Sequence, residues 1–238
     1  MSREPVTARG RRLAIVSPHL DDGILSLGAA IAAWARVGAR VLLVTVFALE
    51  PASEAPSGGW DRRAGFATEG EAARARREED RRACAIVGAE PVWLPFGSVD
   101  YERRGNERTV REAVAAALAG ADAVLLPGYP LTQPDHAWLA RALLGHDLGP
   151  GRVGLYAEQP YAARAGGPAA VPSWLGVEGS FEPARAGLRD LLAKWRAVRA
   201  YRSQLPLLGM RELRRGPLAL ALKRERVAWL DGRGRSPV

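Results

Sequence analysis

A histidine and two aspartates lie within four positions of one another near the start of the chain. The segment 17–22 reads SPHLDD, so His19, Asp21 and Asp22 follow directly on a short apolar run. Burying these groups without partners costs several kcal/mol each, so they require a cation or extensive hydrogen bonding. Taken alone, the motif leaves two interpretations open: a metal site, or an aspartate that caps the following helix beside a hydrogen-bonded histidine.

A second polar cluster, QPDH at 133–136, follows a predicted strand and begins a predicted helix. If the first and fourth strands are neighbours in a doubly wound sheet, His19, Asp22 and His136 converge at the carboxyl ends of those strands. Two imidazoles and one carboxylate with an open coordination position are the ligand set of catalytic zinc. The chain has 3 histidines. The remaining one, His146, follows the helix, and we predict a capping or surface role for it.

Apolar runs alternate along the chain with helical segments, which indicates an α/β fold with an open, mostly parallel sheet. We expect a Rossmann-like sheet with the core strand order 3-2-1-4-5 and helices on both faces. The stretch between Leu49 and Gly70 is rich in Pro, Gly and Ser and predicts a long loop of the kind that forms lids and binding loops. Strands are predicted at Leu13–Ser17, Val41–Phe47, Pro91–Leu94, Ala123–Leu126 and Val153–Tyr156, with a candidate last strand at Val227–Leu230, and helices at Ile24–Ala35, Gly70–Val87, Thr109–Leu118, Asp135–Leu144 and Ala184–Tyr201.

At 238 residues and 47% hydrophobic composition the chain suits one domain spanning 1–238, with a core at 10–205 and a C-terminal extension at 206–238. The longest apolar stretch, Ile24–Ala35, falls short of the roughly 20 residues that cross a bilayer. The apolar run after the N-terminal arginines is too short for a signal peptide. A single cysteine, Cys84, agrees with a reducing compartment. The sequence therefore predicts a cytoplasmic protein without a membrane span and leaves a homo-oligomer open.

The net charge of +8 invites comparison with nucleic-acid-binding proteins, because a basic surface attracts phosphate. The basic residues are nearly all arginines scattered among alanine and glycine, a pattern that GC-rich coding produces without any binding patch. The first strand is followed by PHLDDG and not by a glycine-rich phosphate loop, which argues against a dinucleotide site. The expected partner is a small molecule and not a nucleic acid.

The two clusters resemble the signatures of the PIG-L, or LmbE-like, family of zinc-dependent N-deacetylases. SPHLDD matches the first family signature, which reads S-P-H-x-D-D or A/S-H-P-D-D-E, and QPDH matches the second, H-P-D-H. Weaker matches are RREED at 76–80, GSVD at 97–100 and KWRAVRAYRSQ at 194–204, so the likeness extends from Leu13 to Gln204.

The resemblance implies that His19, Asp22 and His136 bind zinc or another divalent ion, and that Asp21 is the general base that takes a proton from zinc-bound water. The implied reaction removes an N-acetyl or longer N-acyl group from an N-acetylglucosamine-type sugar, an amino-sugar conjugate on a larger carrier. The chemistry of the residues agrees. Zinc lowers the pKa of water to about 7 and polarises an amide carbonyl, which leaves one carboxylate to move the proton.

Gln133 departs from the family pattern, which often has a histidine here to stabilise the oxyanion or protonate the leaving amine. A glutamine amide donates a hydrogen bond but cannot transfer a proton. Either Asp21 makes both proton transfers, or the enzyme is slow, or the chain is a metal-containing binding module without turnover. Asp135 has three interpretations: it orients Gln133, it hydrogen-bonds a ligand histidine, or it only adds charge to the first turn of a helix.

Three further residues are candidates for contacts with the sugar. Arg76 and Asp100 match positions that lie near the substrate in the family, although the arginine-dense helix around Arg76 favours a solvated surface charge. Trp60, in the long loop, is a candidate to stack on a sugar face, with core packing as the alternative. Contacts with the carrier are expected from the loops Leu49–Gly70 and Tyr161–Gly179.

Overall fold

The computed structural model describes residues 10–101, 105–165, 170–209 and 224–230. In these ranges seven strands form one sheet, and helices pack against it. The strands are β1 (Arg12–Ser17), β2 (Arg40–Thr45), β3 (Ala89–Trp93), β4 (Ala123–Tyr129), β5 (Arg152–Ala157), β6 (Glu182–Pro183) and β7 (Arg226–Trp229). The helices are α1 (Asp22–Arg36), α2 (Gly59–Arg63), α3 (Glu69–Val87), α4 (Glu107–Ala117), α5 (Pro134–Leu143), α6 (Tyr161–Arg164) and α7 (Leu188–Val198), with 3₁₀ turns at Val99–Tyr101 and Ser173–Leu175.

The strand order in the sheet is β3-β2-β1-β4-β5-β7-β6. β1 to β5 run parallel, whereas β7 is antiparallel to both of its neighbours. The predicted fold class and core order are therefore confirmed. β1 pairs with β2 on one side and β4 on the other, with Leu13 opposite both Val41 and Ala123. Because the strand order reverses at β1, its carboxyl end and that of β4 flank the crevice in which such sheets bind ligands.

Both faces of the sheet are covered, so its central strands are apolar on both sides. On one face Leu13 and Ile15 of β1 pack with side chains of α1, α3 and α7. On the other face Ala14 and Val16 pack with side chains of α4 and α5. All four residues are fully buried. This packing fixes the ends of β1 and β4, which carry the two polar clusters.

Each predicted strand and helix is present, and the candidate last strand corresponds to β7. Two predicted boundaries are wrong for local reasons. The predicted long loop contains α2, and α3 begins just before Gly70 because the hydroxyl of Thr68 accepts the N–H of Glu71. α7 begins at Leu188 instead of Ala184, because Ala184 directly follows β6 and donates its N–H to the carbonyl of Glu225, and Gly187 is the N-cap residue.

The C-terminal part of the chain joins the sheet through β7. Glu225, just before β7, accepts the N–H groups of Ala29 and Ala30 in α1 at 3.0 and 2.7 Å. Its carboxylate also lies 2.6 Å from Nζ of the buried Lys194 in α7. Most of the predicted C-terminal extension, including the residues from Asp231 onward, lies outside the described residues, and the single-domain organisation stays a prediction. No helix in the described ranges is long and apolar enough to cross a bilayer.

Candidate active site

His19, Asp22 and His136 meet at the carboxyl ends of β1 and β4. His19 lies in the turn after β1, Asp22 begins α1, and His136 lies in the first turn of α5. Oδ2 of Asp22 is 3.1 Å from Nδ1 of His19 and 3.2 Å from Nε2 of His136, and those two nitrogens are 3.2 Å apart. The structure thus brings the two sequence clusters together, with one donor atom of each residue within 4.8 Å of the others.

Hydrogen bonds within the first cluster fix the turn between β1 and α1. The hydroxyl of Ser17 donates to the carbonyl of His19 at 2.7 Å and accepts the N–H of Gly23 at 3.0 Å. Oδ2 of Asp22 also accepts the backbone N–H of His19 at 3.0 Å. The serine and the second aspartate of the motif therefore hold the backbone that presents the histidine.

Each imidazole has one ring nitrogen that faces the centre and one that faces a carboxylate outside it. Nε2 of His19 lies 3.2 Å from Oδ2 of Asp135, and Nδ1 of His136 lies 2.5 Å from Oε1 of Glu158. Of the three interpretations of Asp135, the structure shows the hydrogen bond to a candidate ligand histidine. Asp135 also accepts the N–H of Val99 at 3.2 Å. Sequence reasoning missed Glu158. The sequence feature that could have indicated it is its position directly after the apolar strand β5.

The donor set and its surroundings fit a divalent cation. Asp22, Asp135, His136 and Glu158 are buried, whereas the side chain of His19 is 30% exposed, which gives access from solvent on that side. The surrounding carboxylates favour positive charge at the centre. Burial opposes charging of His19, but hydrogen bonds to Asp135 and Asp22 outweigh it and raise its pKa to about 9. Two imidazoles, one carboxylate and an accessible side match the requirements of a catalytic zinc site.

Asp21 lies beside this centre. It occupies the N-cap position of α1, but its side chain makes no capping hydrogen bond, so the capping interpretation is wrong for this residue. Asp21 is 6% exposed and lines the pocket. Burial, and then the charge of Asp22, raise the pKa of Asp21 to about 7, whereas a cation at the centre lowers it. A carboxyl group in this setting is able to accept and return a proton near neutral pH.

Arg76 forms part of the pocket wall, and the prediction of a solvated surface charge is wrong. Its side chain is 9% exposed, and Nη1 lies 2.5 Å from Oδ1 of Asp61 in α2. The hydroxyl of Tyr101 donates to the other carboxylate oxygen of Asp61. Nε and Nη2 of Arg76 are buried and make no hydrogen bond within the described part of the chain. The prediction failed because Asp61 and Tyr101, which sequence reasoning missed, cover this face of α3.

Trp60 and Asp100 lie together along the pocket. The N–H of Trp60 donates to Oδ2 of Asp100 at 3.0 Å, and the guanidinium of Arg63 lies 5.0 Å from the centre of the Trp60 ring. Trp60 is half-buried and lines the cavity, so the core-packing alternative is wrong. Asp100 is exposed and also lines the cavity. The structure therefore brings both candidates to the pocket.

Gln133 is exposed at the N-cap position of α5. Its Nε2 lies 3.4 Å from the hydroxyl of Tyr161, whose ring stands edge-on to His136 with ring centroids 5.9 Å apart. Gln133 and Tyr161 both line the pocket. Sequence reasoning placed Tyr161 only at the start of a loop and missed its position here. His146 is exposed beside Arg111, which agrees with its predicted surface role.

The cavity next to these residues has a volume of about 180 Å³ and opens to solvent. Its polar lining consists of the groups already described together with Ser98 and Gln204. The apolar part of its lining includes Leu20, Phe47, Leu49 and Leu208. The arrangement places a candidate metal centre, a protonatable carboxyl group and hydrogen-bond donors around one small pocket.

The model of a protein family described as PIG-L, GlcNAc-PI de-N-acetylase, matches residues 14–145, a stretch that contains both polar clusters. The chain is also 36% identical over 180 residues to the 2'-N-acetylparomamine deacetylase of Streptomyces fradiae. That alignment covers 66% of this chain and 59% of the relative, so the chain spans less than two thirds of the length of that protein.

Two solved structures have a similar fold over nearly the whole chain. A deacetylase from the biosynthesis pathway of teicoplanin has a TM-score of 0.75 and 25% identity, with 94% of this chain and 100% of that chain covered. The A40926 pseudoaglycone deacetylase Dbv21 has a TM-score of 0.73 and 25% identity, with 97% of this chain and 100% of that chain covered.

Proposed function

The chain belongs to the PIG-L family, and from this premise we propose that it is a metal-dependent amide hydrolase that removes an N-acetyl group from an N-acetylglucosamine-type sugar on a larger carrier. The observation that carries the proposal is the convergence of His19, Asp22 and His136 beside the buried carboxyl group of Asp21 at one pocket. The similar proteins named above are all deacetylases, which supports the same reaction class here.

His19, Asp22 and His136 would hold one divalent ion, and their donor types favour zinc. When bound, such an ion polarises the amide carbonyl and lowers the pKa of a water molecule that it coordinates to about 7. The three residues leave the solvent side of His19 open toward the cavity, where the acetamido group would enter.

Asp21 is the proposed general base. The other carboxylates around the centre hydrogen-bond the two histidines, whereas Asp21 lines the pocket without a capping hydrogen bond. Its carboxylate takes the proton of the attacking water as the new C–O bond forms. The same proton then passes to the amide nitrogen as the C–N bond breaks, which yields acetate and a free amine. Asp21 makes both transfers because the amide of Gln133 cannot give up a proton at this stage.

Gln133 is proposed to donate a hydrogen bond to the carbonyl oxygen as negative charge develops on it. The exposed position of its amide at the pocket supports this role. A donor that is already in place stabilises an oxyanion without reorganisation in the transition state. The hydroxyl of Tyr161 beside it holds the amide on this side of the pocket.

The size and lining of the cavity support one sugar ring as the part of the substrate that enters. Pockets that enclose drug-sized ligands have volumes of roughly 300–1,000 Å³, and this cavity is smaller at about 180 Å³. The carrier would then remain outside. The unpaired Nε and Nη2 of Arg76 suit the oxygens of a sugar, Trp60 offers a ring face, and Asp100 accepts hydrogen bonds from hydroxyl groups.

The second candidate is a metal-containing binding module without turnover. It is favoured by one observation, which is that Gln133, a residue unable to transfer a proton, stands where the family often has histidine. In this case the pocket retains the ion and the sugar, and no amide bond is broken.

The experiment is a substrate panel tested with purified protein loaded with zinc, with free amine and acetate both measured. The panel contains an N-acetylated aminoglycoside, an N-acetylglucosaminyl glycopeptide, a nucleotide sugar and an inositol glycoside. The proposal expects equal amounts of amine and acetate from at least one of them, and none from the Asp21→Asn protein. Tight binding of a panel member without release of acetate would instead support the binding module.

A further inference from the structure

Glu158 follows β5, is fully buried, and serves two partners with its two carboxylate oxygens. Oε1 lies 2.5 Å from Nδ1 of His136, and Oε2 accepts the N–H of Leu131 at 3.1 Å. The N–H of Glu158 donates to the carbonyl of Tyr129 at 2.6 Å. One residue at the end of β5 therefore contacts both the segment that leaves β4 and the histidine in the first turn of α5.

The contact with His136 determines which ring nitrogen faces the centre. A carboxylate beside Nδ1 favours a proton on that nitrogen. Nε2 is then the nitrogen that faces Asp22 and His19, at 3.2 Å from each, and it would offer its lone pair to an ion. The negative charge also makes the imidazole a stronger ligand. Glu158 and His136 are both shielded from water, and hydrogen bonds to charged groups are stronger in such surroundings.

The equivalent contact of His19 is weaker. Its outer nitrogen lies 3.2 Å from Asp135, and the side chain of His19 is 30% exposed. The more strongly held histidine is therefore His136. The carboxylate that holds it directly follows β5, a strand that contributes no other group to the centre.

We propose that Glu158 is a positioning residue that fixes the tautomer and orientation of His136 and thereby sets the affinity of the site for a divalent ion. The inference rests on the metal site of the proposed function and on no catalytic step. Through the N–H of Leu131, the same carboxylate holds the loop that leads to Gln133. Glu158 thus fixes the position of the ligand histidine relative to the candidate oxyanion donor.

A purely structural role has a different consequence. If Glu158 only satisfies buried N–H groups, its replacement destabilises the fold and leaves the ion affinity of the folded protein unchanged. If it positions His136, the affinity falls even in protein that remains folded.

The test is the dissociation constant for Zn²⁺ of the full chain, measured by competition with a chromophoric chelator. In Glu158→Gln the side chain keeps its size but places an NH₂ group against an N–H of His136 or Leu131. We expect its dissociation constant to rise by about 10–100-fold. In Glu158→Asp the charge is kept on a shorter side chain, and we expect a smaller rise. This partial rescue by charge would not follow from a role in filling space.

Asp80→Asn is the matched control. Asp80 is also a fully buried carboxylate, its donors include Nε1 of Trp93 at 2.8 Å and the hydroxyl of Tyr201 at 2.6 Å, and it does not line the pocket. Its replacement should lower the melting temperature and keep the Zn²⁺ dissociation constant within about threefold of wild type. The visible absorption of Co²⁺-loaded protein should change in Glu158→Gln and not in Asp80→Asn.

A dissociation constant of Glu158→Gln within about threefold of the wild-type value overturns the proposal. The proposal is also overturned if Asp80→Asn loses as much Zn²⁺ affinity as Glu158→Gln. If Glu158→Gln does not fold, Glu158→Asp decides by the same criterion. Wild-type protein that binds Zn²⁺ but hydrolyses no amide contradicts the proposed function and leaves the comparison of dissociation constants decisive for Glu158. Wild-type protein that binds no divalent ion overturns both.

Discussion

Nδ1 of His19 and Nε2 of His136 lie 3.2 Å apart, although 117 positions separate the two residues in the chain. Both nitrogens are also close to Oδ2 of Asp22, at 3.1 and 3.2 Å. The lone pairs of two such nitrogens repel each other unless positive charge lies on or between them, and the carboxylate supplies the counter-charge. The approach follows from the pairing of β1 with β4, which makes the ends of the two strands neighbours.

His136→Ala is expected to lose most of the bound zinc, because it removes one of three ligand atoms. Metal analysis after dialysis should show an occupancy below about a tenth of that of wild type. His146→Ala is the control, because His146 is exposed beside Arg111 and away from the pocket. It should retain the wild-type metal content. Wild-type occupancy in His136→Ala would remove His136 from the ligand set.

Asp21→Asn is expected to keep zinc and to lose turnover. The amide has nearly the same shape as the carboxylate but does not accept a proton, so kcat should fall by about 10²–10⁴. Steady-state kinetics and the zinc dissociation constant are measured on the same preparation. If kcat stays within about tenfold of wild type while the metal is retained, Asp21 is not the general base.

Gln133→Ala is expected to lower kcat by roughly 10²–10³ with little change in KM, the effect of removing one oxyanion donor. Tyr161→Phe is the comparison, because it removes only the hydroxyl that lies 3.4 Å from the amide of Gln133. Tyr161→Phe should lower kcat less than Gln133→Ala does. An equal loss in both variants would indicate that the two groups act as one unit.

Gln133→His supplies a side chain that can transfer a proton. The dependence of kcat on pH should then gain an ionisation that the glutamine enzyme lacks. Activity in the histidine variant together with none in wild type, on every substrate of the panel, would favour the binding module.

The sheet and the two polar clusters could be predicted because their signals are local. β1 and β2 are continuous apolar runs, as expected for strands with helices on both faces. Each cluster holds its chemically distinctive residues within a few positions of a strand end. The parallel α/β order then implies that the ends of β1 and β4 meet.

Contacts between distant segments could not be predicted, because they leave no pattern in either segment. The family resemblance singles out Arg76, but by charge and spacing it looks like the other arginines of α3, and the cover provided by Asp61 and Tyr101 is visible only in the structure. Glu158 lies in no motif, and its contact with His136 depends on the pairing of β4 with β5. The helix α2 is short and lies among Pro and Gly, so its sequence resembles a loop.

Lys194→Met is expected to lower the free energy of unfolding by about 3–5 kcal/mol, because it breaks a buried ion pair and leaves the charge of Glu225 without its cationic partner. The double variant Lys194→Met with Glu225→Gln should recover part of this loss, since no buried charge remains. Denaturation by urea measures the free energy of unfolding of the single and the double variant. The zinc content of the folded variants should stay at the wild-type level, because neither residue lines the pocket. A loss below about 1 kcal/mol, the size measured for solvent-exposed ion pairs, would contradict this prediction.

Metal-dependent deacetylation is tested most directly by titrating metal-stripped wild-type protein with Zn²⁺ while acetate release from an N-acetylated aminoglycoside is measured. The rate should be undetectable without metal and rise linearly until about one ion per chain is bound, as expected for a single catalytic site. Zinc-loaded Asp21→Asn, titrated in parallel, should bind the ion without releasing acetate. Full acetate release by the stripped protein, or a rate that does not follow zinc occupancy, would contradict the account.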